Sequence, residues 1–93
     1  MQSLYLDKTN RTPQIILDPK QELFEIKGRS IPENSVAFYE PVIKWIEEYR
    51  KEPNQNTRLV VRLEYFNTSS SKCLIELLRK LETIHTDGHT VEM

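Results

Sequence analysis

Four consecutive hydroxyl side chains, Thr68-Ser69-Ser70-Ser71, stand between Asn67 and Lys72. The hydrophobic string Leu63-Glu64-Tyr65-Phe66 leads into them and a helical apolar pattern follows, so they open a helix directly after a strand. A helix start carries unpaired backbone N–H groups and the positive end of the helix dipole, and an anion placed there is held by oriented donors. Hydroxyls at such a point suit reversible phosphorylation. Ser, Thr and Asn are also the preferred helix caps, but one cap needs one side chain. Four hydroxyls behind an Asn exceed that need.

Other chemistries fit less well. Ser69 and Lys72 match the S-x-x-K spacing of penicillin-recognising hydrolases, in which a lysine activates a serine. A small Ser/Lys hydrolase is thus one alternative, but the further Ser/Asn element and the Lys-Thr-Gly strand are missing. With only Gly28 and Gly88 in the chain, neither a nucleophile elbow nor a phosphate loop can be built. His85 and His89 are four apart with Gly88 between them, which ends the helix before the second ring and argues against a shared metal. No cofactor is indicated. The acids are spread along helix faces, and Glu64 reads as a solvent-facing strand residue paired with Lys or Arg. Cys73 lies on an apolar helix face and reads as a buried small hydrophobe. The expectation is a protein without enzymatic activity.

The chain has 93 residues, 13 basic and 14 acidic, for a formal net charge of −1. Neither sign gathers into a run, which removes the footprint of a nucleic-acid or membrane-surface binder. No stretch approaches the roughly 20 apolar residues that cross a bilayer, and the first seven residues lack a secretion pattern, so a cytosolic single domain (1–93) is expected.

Gln14 to Leu17 and Leu23 to Lys27 predict a strand pair turning at Lys20 and Gln21, with Phe24 and Ile26 on one face and Glu25 and Lys27 on the other. From about Asn34 to Lys51, Val36, Tyr39, Val42, Ile43, Ile46 and Tyr49 form a helical stripe that Trp45 broadens. Asn34 or Ser35 caps it, and Pro41 predicts a kink or break near Ala37 to Pro41. Arg58 to Phe66 is the richest strand signal, with Leu59, Val61, Leu63 and Tyr65 on one side and Arg62 and Glu64 on the other. Cys73, Leu74, Leu77, Leu78, Leu81 and Ile84 predict a second helix from Ser69 to about Thr86, ended by Asp87-Gly88. A short strand at His89 to Met93 completes an α/β domain. Its small mixed sheet of about four strands carries two main helices mostly on one face, with parallel pairing favoured where strands alternate with helices.

Thr12-Pro13, Asp18-Pro19, Gly28-Arg29-Ser30, Pro32-Glu33-Asn34, Phe38-Tyr39-Glu40-Pro41 and above all the ten-residue string from Leu63 to Lys72 resemble the SiaC family of bacterial regulatory phosphoproteins. The likeness covers nearly the whole chain. It implies a fold similar to the sulfate-transporter and anti-sigma-antagonist (STAS) domain, with Thr68 at the phosphoacceptor position and Ser69 or Ser70 as alternatives.

It further implies a partner-switching module of cytoplasmic signal transduction. A serine/threonine kinase modifies the threonine, a PP2C-type phosphatase restores it, and the unmodified form binds and activates a diguanylate cyclase in cyclic di-GMP signalling and biofilm control. An anti-sigma-factor antagonist binding an anti-sigma kinase is the other reading of the same switch. The implied contact surface comprises Glu64, Tyr65, Asn67, Ser69 and Lys72, with Asn67 and Lys72 placed to hold the phosphate or a partner's acid. Pro32, Glu33, Asn34 and Tyr39 are expected on the neighbouring rim. Members of the family usually continue past Val91-Glu92-Met93 with a longer strand and an acidic segment, so this chain reads as a short or truncated form. If the missing part helps to bind the cyclase, the chain takes the phosphate yet fails to activate that partner.

Overall fold

The computed structural model describes residues 2–54 and 57–82. Strands β1 (Leu4–Leu6), β2 (Gln14–Asp18) and β3 (Leu23–Ser30) are followed by helix α1 (Ser35–Tyr49), strand β4 (Leu59–Phe66) and helix α2 (Thr68–Glu82). The sheet order is β1-β2-β3-β4, with the first two pairings antiparallel and β3 parallel to β4. This is the expected small mixed α/β sheet with two helices. Strand β1 adds an edge that three residues are too few to signal by periodicity. The strand expected at His89 to Met93, the last turn of α2 and the two histidines lie outside the described residues.

The β2–β3 turn closes because Asp18 Oδ1 accepts from the backbone N–H groups of Lys20 and Gln21 at 3.1 and 3.3 Å. Cross-strand pairs Ile15–Ile26 and Leu17–Phe24 bury one face of this hairpin, as the alternation requires. Tyr39, Val42, Ile46 and Tyr49 of α1 and Cys73, Leu74, Leu77 and Leu81 of α2 close over that face together with Leu59 of β4. Phe24, Trp45 and Tyr49 form an aromatic group at one end, and Trp45 Nε1 donates to the Gln2 carbonyl at 2.8 Å.

Helix α1 runs through Pro41 as one element, so the expected break does not occur. The proline is exposed, and the helix continues past the one backbone bond to Ala37 that it cannot make. Asn34 is the cap, its side chain accepting from Ala37 N at 3.1 Å. Val36 is 69% exposed, while Ser35 takes the buried first-turn place that the stripe assigned to an apolar residue.

One irregularity shapes the functional end. The β3–β4 register shifts between Gly28 and Arg29: Gly28 faces Leu63, whereas Arg29 faces Tyr65, leaving Glu64 as an extra residue in β4. Gly28 has φ of +119°, a backbone conformation only glycine adopts readily. The extra residue reverses the alternation, so Phe66 joins Val61 and Leu63 on the helix side while Tyr65 turns outward, 59% exposed. Tyr65 therefore does not share a face with Leu59, Val61 and Leu63, contrary to the unbroken pattern.

Candidate functional site

Strands β3 and β4 are parallel, so both deliver their C-terminal ends, and the helices that follow, to one edge of the sheet. Asn67 N donates to the Ser30 carbonyl at 3.0 Å, tying the end of β4 to the end of β3. The helix starts then lie side by side, with Ser35 Oγ of α1 2.7 Å from Ser69 Oγ of α2. Two positive helix ends thus share one small surface.

Asn67 caps α2: its Oδ1 accepts from Ser70 N at 2.8 Å and its carbonyl accepts from Ser71 N at 3.1 Å. With capping assigned to Asn67, the hydroxyls are released for other tasks. Thr68 is the first helical residue and is exposed, and its hydroxyl makes no hydrogen bond among the described residues. Ser71 Oγ donates to the Thr68 carbonyl at 2.7 Å. No acidic side chain occupies the first turn of α2, so the dipole end beside Thr68 is unneutralised.

Ser70 points the opposite way and is fully buried. Its hydroxyl donates to the Ser30 carbonyl at 3.0 Å and accepts from Ser30 Oγ at 2.8 Å. Because the Ser30 hydrogen is directed to Ser70, Tyr39 must be the donor in the 2.5 Å contact between Tyr39 Oη and Ser30 Oγ. Burial raises the Tyr39 phenol above its ordinary pKa, which keeps that donor proton in place. Ser35 Oγ stands 3.3 Å from Ser70 Oγ and Ser69 Oγ donates to Asn67 Oδ1 at 3.2 Å. Beneath the exposed threonine lies a buried chain of hydroxyls joining β3, α1 and α2.

Two expected positions are corrected by this arrangement. Tyr39 is fully buried and offers no surface to a partner; it is fixed inside by its phenol bond to Ser30. Ser70, an alternative acceptor, is sealed from any kinase. The other expected positions are exposed or half-buried. Ser69 and Lys72 are exposed, Glu64 pairs with Arg29 at 3.2 Å as a solvent-facing strand residue should, and Glu33 lies 3.5 Å from Arg11. Pro32 is half-buried, and Asn34 is exposed with its side chain engaged in capping. No hydrogen bond joins Lys72 to Ser69 among the described residues. Cys73 is buried, and burial holds its thiol above the ordinary pKa. No group of three or more metal-binding side chains occurs among the described residues, and none of their helices is long and apolar enough to cross a membrane.

Beside the Thr68 turn, Val61, Leu63, Phe66, Leu74, Ile75 and Leu78 line an open apolar groove between β4 and α2. Phe66 and Ile75 are about half exposed there. Val61, Leu63, Leu74 and Leu78 lie on the expected apolar stripes, whereas the bulge that brings Phe66 to this side was not foreseen. Ser30, Ser35 and Ser70 were missed as a group, although each continues a buried period: Ser30 after Phe24, Ile26 and Gly28, Ser35 four before Tyr39, and Ser70 three before Cys73.

Comparison with known proteins agrees with this geometry. A profile described as SiaC family regulatory phosphoprotein matches residues 6–93. An uncharacterized protein of Pseudomonas aeruginosa strain UCBPP-PA14 is 34% identical over 93 residues, which is all of this chain and 74% of the relative. The structure of SiaC of Pseudomonas aeruginosa superposes with a TM-score of 0.89 at 32% identity, covering 98% of this chain and 77% of that one. SiaC in the crystal structure of diguanylate cyclase SiaD in complex with its activator SiaC, also from Pseudomonas aeruginosa, matches with a TM-score of 0.85 at 32% identity over 95% of this chain and 74% of that chain. The four-stranded mixed sheet with two helices is the fold of that SiaC structure. The chain belongs to the SiaC family of regulatory phosphoproteins.

Proposed function

We propose that this chain is a non-enzymatic switch that binds and activates a diguanylate cyclase when unmodified, and that phosphorylation of Thr68 blocks the docking. The observation that carries the reading is the exposed Thr68 hydroxyl, unbonded among the described residues, on an unneutralised helix start at the same edge as Tyr65, Lys72 and the Phe66–Ile75 groove. A phosphate adds about −1.5 to −2 charges and three acceptor oxygens, which a helix N-terminus accommodates and a closely fitted partner surface does not. The contact surface comprises Glu64, Tyr65, Asn67, Ser69 and Lys72, extended by the Pro32-Glu33-Asn34 segment on the adjoining helix start. A serine/threonine kinase and a PP2C-type phosphatase set its state, in the cytoplasm.

The cyclase is preferred over an anti-sigma kinase as target because a 32% identical structural relative is described as the activator of the diguanylate cyclase SiaD. The test is reconstitution. The purified chain raises cyclic di-GMP synthesis by its cognate cyclase, and treatment with the cognate kinase and ATP removes that effect while mass spectrometry finds phosphate on Thr68. Phosphate only on Ser69 to Ser71, or stimulation that persists with Thr68 fully modified, would reject the proposal.

A further inference from the structure

We infer that Ser35, on the other helix, is a specificity-determining residue that keeps phosphorylation on Thr68 by withdrawing its neighbour Ser69 from competition. The inference rests on the reading of Thr68 as the acceptor and deepens it. Four adjacent hydroxyls would ordinarily offer a kinase several overlapping targets, since a shift of one residue moves the acceptor by only a few ångströms. The fold separates them by giving three of the four hydroxyls an internal partner. Ser71 donates to the Thr68 carbonyl at 2.7 Å, and Ser70 is buried with its hydrogen on the Ser30 carbonyl at 3.0 Å.

Ser69 is the only close rival, because it is exposed like Thr68. Its hydroxyl is nevertheless held from two sides: it donates to Asn67 Oδ1 at 3.2 Å and lies 2.7 Å from Ser35 Oγ. Ser35 itself is 2% exposed, 3.3 Å from the buried Ser70 hydroxyl and fixed at the first turn of α1, so it is a rigid anchor for Ser69. In phosphoryl transfer the acceptor oxygen forms its bond to the γ-phosphorus as the bridging oxygen of the nucleoside triphosphate leaves with its electron pair. The hydroxyl hydrogen passes to a base on the kinase. Ser69 has its hydrogen turned to Asn67 and an oxygen lone pair occupied by Ser35, and must break both contacts before it can be aligned. Thr68 has no such bond to break among the described residues.

Removing the anchor should therefore expose the rival. The full chain is incubated with its cognate kinase and ATP and the sites are mapped by mass spectrometry over a time course, in four forms: wild type, Thr68→Ala, Thr68→Ala with Ser35→Ala, and Thr68→Ala with Ser35→Thr. Wild type carries phosphate on Thr68, and Thr68→Ala is modified at Ser69 slowly or not at all. Adding Ser35→Ala raises the Ser69 rate about two- to tenfold, the population factor of one neutral hydrogen bond. Ser35→Thr restores the hydroxyl and returns the rate to that of Thr68→Ala alone. A Ser69 rate that is the same with and without Ser35→Ala overturns the inference while leaving the Thr68 switch intact. Absence of phosphate from Thr68 in wild type removes the switch and the inference with it. Thermal melting checks each variant, and if Ser35→Ala loses its fold, Ser35→Cys keeps the volume with a much weaker hydrogen bond and replaces it.

Discussion

Charge at Thr68 should act with opposite sign on stability and on docking, and Thr68→Glu separates the two. Thr68 is exposed on the first turn of α2, where no acidic residue yet meets the dipole and Lys72 lies one turn on along the same face. A carboxylate there gains about 0.3–1 kcal/mol from the dipole and about 0.2–0.5 kcal/mol from an i,i+4 pair with Lys72. For a domain of this size that total raises the melting temperature by about 2–10 °C. The same charge pressed into a fitted protein surface loses hydration without a prepared partner, at a cost on the order of 3 kcal/mol, or roughly a hundredfold in Kd. Calorimetric titration against the cognate cyclase and a melting curve on the same sample read both quantities, with Thr68→Ala as the uncharged control that keeps affinity within a few-fold. Weaker binding accompanied by a lower melting temperature would refute the reasoning. It would mean that the charge acts by undoing the helix start and not by repelling a partner from an intact one.

Two further outcomes follow from the frame that holds this site. Gly28→Ala meets ordinary space, its nearest atoms lying 3.6 Å from the added carbon, so its cost comes from the φ of +119° alone; a loss of about 1–3 kcal/mol in urea unfolding is expected, and an unchanged midpoint would show that the bulge relaxes freely. Asp18, hydrogen-bonded by the Tyr5 hydroxyl and by the turn amides of Gln21 and Lys20, has its pKa held below the ordinary carboxylate value. A depressed folded-state pKa contributes stability that is complete above the unfolded pKa near 4 and is lost as pH falls through the folded value. Asp18→Asn should therefore flatten the acid limb of the stability profile below about pH 4 and leave the slope from pH 6 to 8 unchanged, as followed by urea unfolding at each pH.

How much of this was legible in the sequence depends on whether a signal was local. The β2–β3 hairpin, both helices and the strand into α2 announce themselves by period, because Phe24 with Ile26, Val42 with Ile46, and Leu74 with Leu77 must each share a buried face. The strand end followed by hydroxyls placed a helix start at the cluster, from Ser69 against the observed Thr68, while the choice of Thr68 as acceptor came from the family resemblance and not from the local pattern. Three features were not legible. The bulge needs the pairing partner, since Glu64 is an extra residue only relative to Gly28 and Arg29. Tyr39 carries a phenol that can face water or a buried acceptor, and only the Ser30 hydroxyl across 9 residues of sequence decides for the interior. Pro41 removes one N–H from the ladder and crowds the Ala37 carbonyl, and whether the helix tolerates that depends on the burial of Tyr39 and Val42 on either side, which both remain on the core.

Burial also explains why a run of similar side chains does dissimilar work. Along the first turn of α2 each residue rotates about 100° from the last, so four consecutive hydroxyls necessarily face different surroundings. Ser70 falls on the line of Cys73, Leu74 and Leu77 and enters the core, where an unpaired hydroxyl would cost about 1–3 kcal/mol; the Ser30 hydroxyl and carbonyl satisfy it, and Tyr39 in turn donates to Ser30. Thr68 falls opposite that line and is exposed. The buried network thus fixes the rotation of the helix start, and with it the direction in which Thr68 points. Replacing the network by apolar groups of the same volume could keep the core filled, but the start of α2 would lose the directional bonds to β3 and α1 that orient it. Under the proposed switch, that orientation presents Thr68 in one place to both a kinase and a binding partner.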